Sequence, residues 1–303
     1  VGGLTPLLYA ARSGCTACVA AILDAGADID RPTPEGMTPL IVATDNGAFD
    51  TAALLLERDA NPHLWDWYGR TALYVAVDMS NGREPGESAD EIAAIDIVAR
   101  LLDAGVNPNP QLNMHRPSRG GNIGRFTDDL LTTGATPLLR AAISQNLPAI
   151  ALLLDHGADA DLANVQGVTP LMAESGIGGG RGGVFDATFG PEARAIETIG
   201  VLLDAGADIN RRVVDRYNRS ARIARDSSMS FREGHTPLFG AVARGWYDVV
   251  SYLIDNGANV DAVDAAGHTP IDIATGRLSG RGMVASDAVA ELLTATLERD
   301  TAQ

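Results

Sequence analysis

Residues 236–261 read TPLFGAVARGWYDVVSYLIDNGANVD, and the fold is decided by how often this stretch recurs. Triplets like its Thr-Pro-Leu begin at Thr5, Thr38, Thr71, Thr136, Thr169, Thr236 and Thr269, spaced 33, 33, 65, 33, 67 and 33 residues apart. A second signal, Gly-Ala-Asp or a close variant, sits at Gly26, Asp59, Gly105, Gly157, Gly206 and Gly257. It falls 21 residues after its triplet in four of the six cases. A fixed period of this length marks stacked supersecondary units.

One unit can be read residue by residue. Thr5-Pro6 fits a helix start, because Thr is a capping type and Pro at the first helical position gives up no needed N–H. Leu7, Leu8, Ala10 and Ala11 then predict a short helix with a small-residue face, which Gly14 breaks. Val19 to Ala25 predict a second apolar helix, with Gly26 just past its end. Asp28-Ile29-Asp30 and residues 32–36 form an extended turn toward the next unit. Such a helix pair is apolar on more than one side, so it must stack on its neighbours.

The pattern resembles the ankyrin repeat, a turn–helix–loop–helix unit of 33 residues, and residues 236–261 match that family's consensus almost throughout. The resemblance implies an all-α ankyrin-repeat solenoid of about seven repeats, forming one domain over residues 1–303. More loosely, the Cys-Thr-Ala-Cys pair and the long insertions resemble ankyrin segments of exported bacterial proteins. One feature departs from the family. Where it often has His after Thr-Pro-Leu, this chain has Leu8, Ile41, Tyr74, Leu139, Met172, Phe239 and Asp272. Loss of that polar network predicts stacking that rests more on apolar packing.

The irregular spacings locate insertions near residues 80–90, 109–127, 176–192, 211–232 and 278–285. They alternate between the inter-helix loops of repeats three, five and seven and the turns, or fingers, before repeats four and six. Like insertions thus lie two repeats apart, where they could pack along one edge. Long loops of this kind are functional or disordered. The finger insertions are basic: residues 211–232 carry Arg211, Arg212, Arg216, Arg219, Arg222, Arg225 and Arg232 against Asp215 and Asp226. Residues 109–127 carry Arg116, Arg119 and Arg125 with no acid. They either bind an anion such as a phosphate or lipid headgroup, or lie on their own acidic solenoid and neutralise it.

Composition narrows the function. With 23 Lys+Arg against 39 Asp+Glu, the net charge of −16 over 303 residues disfavours nucleic-acid binding. No stretch has the ~18–20 uncharged apolar residues of a membrane span. The chain contains no lysine, which removes a P-loop lysine, a Schiff-base lysine and a lysine general base together. No Ser-His-Asp or paired-carboxylate constellation stands out. The glycines of residues 178–183 lack the strand and lysine of a phosphate cradle and read as a flexible hairpin. No enzyme activity and no cofactor are expected.

In this family, finger tips and the exposed end of the first helix make most partner contacts. Carried onto repeat three, those positions are Trp65, Trp67, Tyr68, Arg70, Asp78 and Met79. Trp, Tyr and Arg are the usual interface anchors. They bind a protein partner, or are covered by the neighbouring 109–127 insertion. Equivalent positions elsewhere, such as Pro34, Glu35, Val165 and Gln166, are bland.

Cys15 and Cys18 lie at the start of a second helix. They read as a local disulfide or as packed free thiols, with redox or metal chemistry the least favoured reading: zinc would need about four ligands, and no partner pair accompanies them. A disulfide would favour a periplasmic or extracellular location. Val1–Leu4 lead straight into a triplet, so apolar Leu7, Leu8, Val19 and Ile22 are expected to be left open for further repeats or a partner.

Overall fold

Thr5, Thr38, Thr71, Thr136 and Thr169 each turn their hydroxyl oxygen onto the backbone N–H three residues on, at 3.0–3.3 Å. Each bond satisfies one of the donors that a helix start leaves orphaned. Thr269 opens its helix differently: its N–H and hydroxyl both donate to Asp272 Oδ2, at 2.9 and 2.7 Å. The triplets are therefore helix starts in the physical sense that the sequence predicts.

The computed structural model describes residues 3–80, 92–114, 130–177, 192–214, 233–279 and 283–301. Fourteen helices lie among them, joined in pairs. In chain order they are α1 (Pro6–Ser13), α2 (Thr16–Asp24), α3 (Pro39–Asp45), α4 (Phe49–Glu57), α5 (Ala72–Met79), α6 (Ala94–Asp103), α7 (Pro137–Ile143) and α8 (Leu147–Asp155). The series continues with α9 (Pro170–Glu174), α10 (Glu192–Asp204), α11 (Pro237–Arg244), α12 (Tyr247–Asp255), α13 (Pro270–Ala274) and α14 (Asp287–Thr301). Among the described residues the sheet-like pairing is a single antiparallel bridge, Trp65–Thr71. The fold is an all-α solenoid of about seven helix-pair repeats.

The chain divides into two compact units. The first comprises Val1–His115, Thr136–Ala141 and Asn146–Asp159. In it α1 packs on α3 and α3 on α5, while α2 packs on α4, α4 on α6 and α6 on α8. The second comprises Arg116–Ala135, Ala142–Gln145 and Ala160–Gln303. There α9 packs on α11 and α11 on α13, and α10 on α12. α14 closes this unit on α12 and α13, burying Val289 and Leu293.

The cores are aliphatic, in keeping with an aromatic content of 5 % over the chain: Leu8, Leu55, Leu73, Ile97 and Leu101 in the first unit, Leu171, Ile199, Leu202, Leu238 and Leu253 in the second. Leu7, Leu8 and Val19 are buried, which corrects the expected open apolar face of repeat one; only Ile22 is half-buried. Their side chains turn toward the rest of the first unit. Polar links also cross between repeats, so stacking is less purely apolar than expected. Asp30 Oδ1 accepts Asn61 N–H at 3.0 Å, and Asn210 Oδ1 accepts Asn259 N–H at 2.8 Å.

Most of the insertions fall outside the described residues, and so does the expected packing of like insertions. The one at 278–285 is described except at 280–282. Leu278 N–H donates to Asp272 O and Val284 N–H to Ala243 O, both at 2.8 Å, so its ends are pinned to repeats seven and six.

Candidate functional site

The repeat-three finger is built around Asp66. Its Oδ1 accepts the N–H groups of Tyr68 and Arg70, both at 2.9 Å, which folds the tip into a tight turn. Its Oδ2 accepts Arg70 Nε at 2.7 Å. Arg70 also reaches Asp45 Oδ1 at 3.4 Å, and its guanidinium lies 5.7 Å from the centre of the Tyr68 ring. Charge-assisted bonds of this kind are the strong ones. A cation held by two carboxylates in a nearly dry turn fixes the turn's shape.

Neighbouring strands of chain hold the finger on both sides. Trp67 N–H donates to Glu35 O at 2.9 Å, and Asn113 N–H donates to Tyr68 O at 2.8 Å. Gly69 permits the second contact: its φ is 80°, and a Cβ there would stand 2.7 Å from the Asn113 nitrogen. On this fixed backbone Trp65 and Trp67 flank Asp66. Asp66 is buried, whereas Trp65 is 62 % and Trp67 67 % exposed.

The six residues expected to contact a partner thus divide. Trp65 and Trp67 face outward and Tyr68 is half-buried. Arg70, Asp78 and Met79 are buried, contrary to the expectation of a surface role. Arg70 is engaged by Asp66 and Asp45. Asp78 Oδ1 accepts Arg140 Nε at 2.6 Å, tying α5 to α7 within the first unit. The end of α5 is enclosed, so it offers a partner nothing at these positions. Met114, to which the sequence drew no attention, is exposed and follows Asn113, whose N–H meets the finger at Tyr68 O. Only its place next to an insertion could have signalled it.

Of the Arg-rich fingers, Arg211 and Arg212 are described and exposed, and Arg212 Nη1 donates to Val263 O at 2.6 Å. Arg116, Arg119, Arg125, Arg216, Arg219, Arg222 and Arg225 lie outside the described residues. Cys15 and Cys18 are joined as a disulfide with Cα atoms 5.2 Å apart. Among the described residues no group of three or more His, Cys, Asp or Glu could hold a metal ion.

Two further polar clusters stand in the second unit. Asp264 shapes its finger as Asp66 does, accepting Ala266 and His268 N–H at 2.8 Å each. Its Oδ2 lies 3.1 Å from His268 Nδ1 and 3.6 Å from His235 Nε2, and the His235 ring stacks on Phe239. These histidines precede their triplets, so a polar link persists although the residues after the triplets are apolar or Asp. Burial works to raise the Asp264 carboxyl, but the His268 and Ala266 hydrogen bonds outweigh it and hold the carboxyl below its usual range. Glu174 is fully buried at the end of α9, and Gln145 Nε2 donates to its Oε1 at 2.6 Å. Burial pushes this carboxyl up to about 8, with the Gln145 bond opposing.

Comparison with known proteins agrees with this architecture. A model of three copies of the ankyrin repeat matches residues 7–112, and single-repeat models match 133–162 and 233–265. The chain is 29 % identical over 183 residues to a putative palmitoyltransferase ZDHHC13 of Danio rerio, covering 57 % of this chain and 23 % of that one. It is 33 % identical over 139 residues to ankyrin repeat and SOCS box protein 16 of Mus musculus, covering 46 % and 25 %. It therefore spans about a quarter of the length of these relatives. The human ASB11 ankyrin repeat domain superposes with a TM-score of 0.61 at 18 % identity, over 97 % of this chain and 98 % of that one. An ankyrin repeat domain from Acinetobacter baumannii AYE gives 0.59 at 21 %, over 84 % and 98 %. At these identities the superpositions speak to the fold.

Proposed function

We propose, from the premise that this chain belongs to the ankyrin repeat family, that it is a non-enzymatic protein-interaction module whose protein partner is anchored by Trp65 and Trp67. The observation that carries the reading is the exposure of both rings on a finger whose backbone is locked by Asp66, Glu35 and Asn113. A rigid backbone presenting large rings loses little freedom when a partner covers them. Each central Trp anchor is worth ~2 kcal/mol or more on truncation. Contacts of this kind respond little to ionic strength, whereas an anion held by arginines would be released by salt.

The test is a native pull-down from the source organism with the chain and its Trp65→Ala/Trp67→Ala variant, after circular dichroism shows that both fold. A stoichiometric partner lost from the variant is expected. A partner retained equally by both would move the site away from this finger.

We also infer an exported bacterial setting. The Cys15–Cys18 disulfide supports it, since such bonds persist mainly in oxidising compartments. Ellman titration of the unreduced protein taken from its source should find no free thiol; two would remove the argument.

A further inference from the structure

Cys15 is the N-cap of α2 and Cys18 its third residue. The equivalent positions in α8 are Asn146 and Ala149, where the Asn146 side-chain oxygen accepts the Ala149 N–H at 3.2 Å. In α2 that cap is missing, because the Cys15 sulfur is bonded to the Cys18 sulfur and accepts no N–H. Breaking the disulfide would free the Cys15 sulfur to occupy the capping position.

Repeat one does not depend on the bond. A sequence separation of 3 closes a very small loop, and a shorter loop removes less entropy from the unfolded chain. α2 is held independently by buried Val19 and by the Thr16 and Thr51 hydroxyls, 2.9 Å apart between α2 and α4. Cys18 is exposed and Cys15 half-buried, so an outside thiolate has access to the Cys18 sulfur.

We infer that Cys15–Cys18 is a thiol–disulfide exchange site, opened through Cys18 by a dithiol reductant and leaving Cys15 as a thiolate that caps α2. In the first step a thiolate of the dithiol attacks Cys18 Sγ. A mixed disulfide forms, the Cys15–Cys18 bond breaks, and its electron pair leaves on Cys15 Sγ. The Cys18 N–H and the positive end of α2 receive that charge. A thiol of low pKa is the better leaving group. In the second step the reductant's other thiol loses its proton to solvent and attacks the reductant sulfur of the mixed disulfide. The reductant closes its own disulfide and expels Cys18 as a thiolate, which takes up a proton. Two electrons pass from the dithiol, which is oxidised, to the protein disulfide, which is reduced.

The test uses the full chain and dithiothreitol. Samples taken during native incubation are trapped with iodoacetamide and the labelled cysteines located by peptide mass, while circular dichroism follows the fold. Both cysteines should become labelled with the helical signal unchanged. In the reduced protein, the pH dependence of alkylation should place the Cys15 midpoint at least about one pH unit below the ~8.5 of a free cysteine, with Cys18 above it. The Cys18→Ala variant should keep the low Cys15 midpoint. If it does not fold, the reduced wild-type chain still decides. Labelling only after denaturant is added, or a Cys15 midpoint at or above that of Cys18, would overturn the proposal.

Discussion

Glu174 holds a position that is alanine in every other repeat: Ala10, Ala43, Ala76, Ala141, Ala241 and Ala274, all buried. Its partner Gln145 is equally out of place. It adopts φ 52° where Gly14, Gly47 and Gly245 adopt 68–74°, a left-handed backbone that disfavours side chains. The second unit thus carries a buried amide–carboxyl pair made of two residues that depart from the repeat pattern. The folded carboxyl, at about 8, lies above its unfolded value of 4.5. The folded state then binds the extra proton, so this contribution is complete below pH 4.5 and is lost as pH rises toward 8. At ~1.4 kcal/mol per pH unit the loss amounts to a few kcal/mol. Urea unfolding between pH 5 and 8 should show wild type falling relative to Glu174→Gln, which has no proton to lose. Parallel curves would refute the assignment. Asp66 gives the second expectation at this scale. Asp66→Ala leaves buried Arg70 without its shorter carboxylate contact and with the longer one to Asp45, and should cost about 3–5 kcal/mol in urea unfolding.

Among the elements, helix starts differ in what their threonine does. Thr38 caps α3 through Ile41 N–H, whereas Thr236 makes no capping bond to α11. Thr38→Ala should therefore destabilise by about 1 kcal/mol, and Thr236→Ala by much less. Equal losses in chemical denaturation would show that the Thr38 bond is not what stabilises α3. The fingers are elements too, and they were only half legible. Trp65-Asp66-Trp67 announces a tip rich in anchors, but nothing local says that Asp66 faces inward and Arg70 with it. That follows from the carboxylate finding two backbone N–H groups and a guanidinium within the same turn. The enclosure of Asp78 depends on Arg140, 62 residues away in sequence, so no reading of repeat three alone could find it.

At the scale of the molecule, nearest-neighbour packing confines a disturbance to where it is made. Asp66→Ala should speed amide hydrogen exchange in α3 to α5 and leave α11 to α14 at wild-type rates. Uniform acceleration along the chain, read by mass spectrometry, would show that the two units open together. Sequence alone determined the repeat, its period, the seven helix starts and the aliphatic core. The helix starts and the core are written in residues at most a few turns apart, as a capping hydroxyl, a Pro at the first helical position, or a Leu at helical spacing, and the period in how regularly these recur. It also marked Trp65 and Trp67, since an aromatic pair at a finger tip is a local signal. Tertiary structure alone decided which of the six chosen residues reach the surface, that Leu7, Leu8 and Val19 are covered, and that Gln145 meets Glu174. Contacts between repeats are set by what a neighbouring repeat brings alongside, and for Gln145 and Glu174 that partner lies 29 residues away along the chain.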